Sequence, residues 1–137
     1  MNQRKKLKLK KVKVKKVATG RGRLVIFSGF NNTIFTITHE NGEKIEKNNS
    51  SRTATGYSGA RKATPWAAQE AAKKTLARLE ELGISSVEIT VKGMMGSGWN
   101  AALKTIRGAS DKLRIEKIEG KIALPFNGCR PKASPRK

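Results

Sequence analysis

The chain has 137 residues and carries 30 Lys+Arg against 10 Asp+Glu, a formal net charge of +20. The length suits one domain with a modest core, and so large a cationic excess repels itself unless a polyanion neutralises it. Aromatic residues make up 5%, too few for base stacking to be the main binding device, and no run approaches the ~18 apolar residues of a membrane span.

Residues 1–22 read MNQRKKLKLKKVKVKKVATGRG, and eleven basic residues precede the first acid, Glu40. Such a like-charged block is solvated when alone and orders on a partner. Leu7, Leu9, Val12, Val14 and Val17 alternate partly with the lysines, so a strand on docking is the other reading. The stretch lacks the apolar run of a signal peptide and the Arg/Ser bias of a transit peptide. We expect a basic extension over 1–22, an α/β core over 23–126 and a basic tail over 127–137.

Two β-branched and aromatic runs, RLVIFSGF (23–30) and NTIFTITHE (32–40), read as strands joined by turn residues. Asn41-Gly42 is a hairpin signal, and a weaker strand over 44–47 should return from it. Residues 48–59 read as a polar loop. Thr64-Pro65 supplies an N-cap and a first-turn proline. The helix they open has Ala68, Ala71, Ala72, Thr75, Leu76, Leu79 and Leu82 on one face, a Glu70–Lys74 pair on the other, and Gly83 as its stop. SVEITVKG (86–93) alternates as a strand, and MMGSG is a loop. A shorter helix over about 100–108 has Ala101, Leu103, Ile106 and Ala109 as its buried set. KLRIEKIE (112–119) is a last alternating strand, followed by the short KIALPF and the tail NGCRPKASPRK. The order β-β-β-α-β-α-β implies a mixed sheet with helices packed on it.

Catalytic chemistry finds little support in these residues. His39 and Cys129 are each the only one of their kind. No acidic pair stands at metal-ligand spacing, and Cys129 has no second cysteine for an internal disulfide. No G-x-S-x-G elbow is present. GYSGARKAT misses the phosphate loop G-x-x-x-x-G-K-[ST] in its spacing and in the hydroxyl after the lysine. What remains at 56–65 is more general. Gly56 and Gly59 allow close backbone approach, Arg61 and Lys62 supply charge, and a helix start offers N–H groups, an arrangement that suits one backbone phosphate. A solvated, capped helix start is the alternative. Asn31 and Asn32 sit at a tight connection, either as turn formers or as amide donors to RNA. The tail cations suit phosphate neutralisation, against a frayed terminus. Asn127-Gly128 is also a plausible place for succinimide formation.

FNNTIFTIT (30–38), GYSGARKATPWAAQEAA (56–72), VKG (91–93) and NGCRP (127–131), in this order, resemble the universal S-eleven protein of the small ribosomal subunit, over roughly 22–131. NGCRP resembles the bacterial or organellar branch. The resemblance implies a ribonuclease-H-like α/β fold without its catalytic carboxylates, hence no enzyme, no cofactor and no small-molecule substrate. It implies small-subunit rRNA and neighbouring ribosomal proteins as partners, with mRNA nearby, on the platform near the mRNA exit path and away from any membrane. Carried over by position, the RNA-contacting residues are Asn31, Asn32, Gly59, Arg61, Lys62, Thr64, Lys92, Asn127, Arg130 and Lys132. The chain departs from the family pattern at MMGSGWN (94–100), where a Pro-Gly-rich turn and an Arg are usual, and at Phe126, where a His usually precedes Asn-Gly. Such drift, with the Lys-, Asn- and Ile-leaning composition, favours an organellar ribosome over a bacterial cytoplasm. The competing expectation is a free basic nucleic-acid-binding protein of the nucleoid or RNA-chaperone type.

Overall fold

The computed structural model describes residues 20–45, 49–93, 97–109 and 111–136. The lysine-rich stretch before Gly20, the end of the expected 44–47 strand and the Met94–Gly96 part of the expected loop lie outside the described residues. The elements are β1 (Arg21–Ser28), β2 (Thr33–Thr38), β3 (Asn49–Ser50), α1 (Ser51–Thr55), a 3-10 turn (Gly59–Ala63), α2 (Pro65–Leu82), β4 (Ser86–Gly93), α3 (Ser97–Gly108) and β5 (Arg114–Lys121). One five-stranded sheet runs in the order β3-β2-β1-β4-β5. β1 is antiparallel to β2 and parallel to β4, and β4 is parallel to β5. This is the mixed α/β architecture of ribonuclease-H-like topology that the sequence led us to expect.

The core lies on one side of the sheet only. Leu24 and Ile26 from β1, Phe35 and Ile37 from β2 and Val87, Ile89 and Val91 from β4 are buried. They face Ala71, Ala72, Leu79 and Leu82 of α2 and Ala102 and Ile106 of α3. Each large apolar side chain so buried stabilises the fold by about 1.5–3 kcal/mol. The alanines on α2 matter for a different reason: their small size lets the helix backbone lie close to the sheet. The alternate positions, including Arg23, Val25 and Phe27, face away from the helices, and no described helix covers this second face of the sheet. Surface ion pairs such as Lys73–Glu70 (2.7 Å) and Lys112–Glu80 (3.3 Å) add under about 1 kcal/mol each and do not decide the fold. The helix pairs Glu70 with Lys73, not with the Lys74 that i,i+4 spacing suggested. The Lys74 ammonium instead donates to the Ala54 carbonyl.

The 41–42 hairpin forms as expected. Gly42 has φ +91°, its N–H reaches the His39 carbonyl, and the Ile45 N–H reaches Ile37. Residues 49–63 are more ordered than the polar loop we expected. Asn49 pairs with Phe35, and its amide donates to the Ala71 carbonyl (2.9 Å) and the Thr75 hydroxyl (3.1 Å). Ser50 then caps α1: its hydroxyl accepts from the Thr53 N–H while its own N–H donates to the Thr53 hydroxyl. Gly56, at φ +75°, ends that helix. The strap formed by β3 and α1 thus docks on α2 through hydrogen bonds to side chains, which no local hydrophobic pattern announces.

Candidate nucleic-acid interface

The connectivity gathers most of the candidate residues at one end of the molecule. β1, β4 and β5 run parallel, so Ser28, Gly93 and Lys121 lie at the same sheet end, where β2 begins. α2 returns antiparallel to β4, because Gly83 and the Ser85 N–H bond to the Gly20 carbonyl hold its C-terminus beside the start of β4. Its N-terminus therefore reaches the same end. Gly98 in the first turn of α3 marks the junction. A Cβ there would lie 2.7 Å from the Thr33 hydroxyl oxygen, 3.6 Å from the Ala68 Cβ and 3.8 Å from the Ser28 hydroxyl oxygen.

At the β1–β2 turn, the Gly29 N–H donates to the Asn32 carbonyl (2.9 Å), and the Asn32 side chain accepts from the Thr33 N–H (3.0 Å). Asn32 is thereby engaged in turn chemistry. Asn31 and Phe30 at the tip are exposed, and neither needs a positive φ; among the described non-glycine residues only Asn127 has one, at 55°.

At the start of α2, the Thr64 hydroxyl accepts from the Ala67 N–H (3.4 Å) and donates to the Arg61 carbonyl (2.8 Å). The Thr64 N–H goes to the Arg61 carbonyl, and Pro65 has no N–H to offer. Of the first-turn amides, that of Trp66 is left for an outside acceptor. The helix start is consequently a weaker anion seat than the sequence suggested, and the Arg61 and Lys62 side chains carry most of its charge. Neither has an ion-pair partner among the described residues. Gly59 (φ +63°) and Gly56 need glycine for their backbone conformation. An added Cβ at either meets nothing within 4 Å, so the surface above them is open.

Lys92 is exposed near the end of β4, and the tail bearing Asn127, Arg130 and Lys132 leaves from β5 at this end. Tail residues 122–136 form no strand and are exposed throughout. Among the described residues the acids lie elsewhere. Glu40, Glu43, Glu80, Glu81, Asp111 and Glu116 sit toward the opposite end. Glu70 and Glu119 come nearest, and each is matched, by Lys73 (2.7 Å) and Lys117 (3.8 Å). Among the described residues no group of three or more His, Cys, Asp or Glu is placed to hold a metal ion. No described helix is long and apolar enough to cross a membrane.

Sequence reasoning missed two features here. Trp66 is 51% exposed, and its ring lies 5.6 Å from that of Tyr57, so the two ends of the segment that carries Arg61 and Lys62 bring a pair of aromatic rings together. The Ser28 hydroxyl is buried with no hydrogen-bond partner among the described residues. An aromatic residue two positions into a capped helix cannot face the core together with Ala68 and Ala71, a signal that was available for Trp66; nothing local marks Ser28.

The family model for ribosomal protein S11 matches residues 22–136. Small ribosomal subunit protein uS11 of Thermosipho melanesiensis is 46% identical over 118 residues, covering 86% of this chain and 88% of that protein. The uS11 protein of Nautilia profundicola is 42% identical over 123 residues, covering 90% and 91%. The uS11c protein of Phaeodactylum tricornutum, a plastid form, is 45% identical over 111 residues, covering 80% and 81%. With a family model spanning nearly the whole described domain and relatives matched along most of their length, this chain belongs to the ribosomal protein S11 family.

Proposed function

We propose that the chain is a non-catalytic constituent of the small ribosomal subunit that binds small-subunit rRNA through the acid-poor end of its domain and through its basic termini. The observation that carries this reading is the convergence of the β1–β2 turn, the α2 start, Lys92 and the tail at one end, in a chain of the S11 family. Arg61 and Lys62 face phosphates, Asn31 reaches sugar or base edges, and Thr64 acts by holding the turn rather than by direct contact. Asn127, Arg130, Lys132 and the N-terminal lysines neutralise phosphates and release counterions. Neighbouring platform proteins complete its surroundings. The relatives named are bacterial proteins and a plastid form, which supports the ribosome as the location, in a bacterial cytoplasm or in an organelle.

Replacing both Arg61 and Lys62 with alanine should weaken binding to transcribed small-subunit rRNA. It should also flatten the slope of log affinity against log salt by roughly two units at most. An unchanged slope would remove those side chains from the phosphate-contacting set. Sedimentation separates the ribosomal reading from a free nucleic-acid-binding protein: the chain should comigrate stoichiometrically with small subunits at high salt, where a loosely bound factor dissociates.

A further inference from the structure

The open face of the sheet carries a feature that the motifs did not reveal. Strand register sets Phe27 of β1 opposite Lys92 of β4, and Lys92 opposite Lys121 of β5. Neighbouring strands lie about 4.8 Å apart, and like charges directly opposite one another destabilise a sheet. Several other charges on this face are matched. Arg23 pairs with Glu88 (3.2 Å), Arg21 with Glu116 (3.9 Å) and Glu40 (4.0 Å), and Lys117 with Glu119 (3.8 Å). Lys92 and Lys121 are exposed and without an ion-pair partner among the described residues, as is Arg114 at the other end of β5, and they are the only such pair set directly opposite each other on neighbouring described strands. They border a trough whose other walls include Val25, Thr36 and Thr90. The Thr36 and Thr90 hydroxyls make no hydrogen bond to any described residue.

Phe27, beside the lysines, is 49% exposed on a central strand. Its ring is backed by Gly93, where a Cβ would lie 3.2 Å from the ring edge. Glycine at that position lets the ring lie against the backbone with its outer surface free. An aromatic plane next to two uncompensated ammonium groups, with free hydroxyls alongside, matches one nucleotide: a base on the ring and a phosphate between the lysines.

We propose that the lysine-bearing rim of this trough is a second RNA site, in which an unpaired nucleotide stacks on Phe27, just beyond the trough's lining, and its phosphate bridges Lys92 and Lys121. It rests on the rRNA-binding reading above but uses the opposite side of the sheet from α2. RNA is favoured over an acidic protein because the two lysines stand at the strand ends that meet the acid-poor end, with a ring beside the charge.

The test uses the full chain and transcribed small-subunit rRNA. The double variant Lys92→Gln, Lys121→Gln should bind more weakly, with the salt slope flattened by about 0.7 for the one bridged phosphate on a single strand. Phe27→Leu should lose roughly five- to a hundredfold in affinity with its slope unchanged. Relief of the lysine repulsion should leave the thermal midpoint of the double variant level or raised; a lower midpoint would mark the lysines as structural and overturn the site. If both variants bind like the parent while the Arg61/Lys62 variant is impaired, the trough is not an RNA site and the general function stands. If the parent chain itself fails to bind, both proposals fall. Unchanged binding to bare rRNA with loss from subunits reconstituted with their full protein set would make the face a protein contact and overturn the proposal.

Discussion

At Gly93 two constraints coincide. The backbone φ is +90°, which an L side chain adopts poorly, and a Cβ there would lie 2.6 Å from the Ser28 carbonyl oxygen. The left-handed conformation costs about 1–2 kcal/mol and overpacking against backbone about 1–3 more. Gly93→Ala should therefore lower unfolding stability by about 2–5 kcal/mol in urea titration, without any loss of charge. A variant as stable as the parent would mean that the strand end re-forms elsewhere. Gly98 is a second close contact, 2.7 Å from a buried, β-branched Thr33 that has little rotamer freedom to retreat. It also explains why α3 starts at Ser97 rather than near residue 100. A glycine reads as a helix breaker, but here the missing side chain is what lets the first turn sit on β1 and β2. The family motifs singled out Lys92, whereas Phe27 and Lys121 carry no motif of their own. Their partnership exists only in the register between strands far apart in sequence.

Among the elements, α2 was the most legible because its signals are local. Thr64 caps it, Pro65 opens it, Gly83 at φ +75° ends it, and the expected apolar face is buried except for the half-buried Leu76. Removing the cap tests how far this local chemistry sets stability. Thr64→Ala loses both the bond from the Ala67 N–H and the bond to the Arg61 carbonyl. It should cost about 1 kcal/mol, seen as a fall of roughly 4 °C in thermal midpoint. The same variant should weaken rRNA binding only modestly, since the hydroxyl is spent inside the protein; a loss as large as that of the Arg61/Lys62 variant would make Thr64 a direct contact. β3 and α1 were not legible from hydrophobic periodicity. Two residues, Asn49 and Ser50, become a strand because β2 offers a free edge, and Asn49 is held by α2 rather than by its own propensity. The Ser50/Thr53 capping box and Gly56 were readable signs of a short helix, masked by the polar composition around them. β5 runs Arg114–Lys121, two residues beyond the expected strand at its end, with an irregularity in its pairing at Val87/Glu88 that shifts the alternation.

Taken whole, the proposed function divides the binding between a shaped domain and long basic ends. Residues 4–16 hold Arg4 and eight lysines. A chain lacking residues 1–19 should bind small-subunit rRNA with a salt slope shallower by as much as roughly 6–8 units, measured by filter binding across a potassium chloride series. A slope within one unit of the parent would assign the electrostatic work to the domain alone. The separation of acids from the candidate interface has a further, kinetic consequence. With Glu40, Glu43, Glu80, Glu81 and Asp111 gathered away from Arg61, Lys62, Lys92 and Lys121, the domain carries a dipole along its length. In the field of a polyanion that dipole exerts a torque, so an approaching molecule is turned interface-first before any atoms touch. The orientational search that ordinarily slows docking is narrowed, and added salt should act mainly by lengthening the time to encounter rather than by shortening the life of the complex.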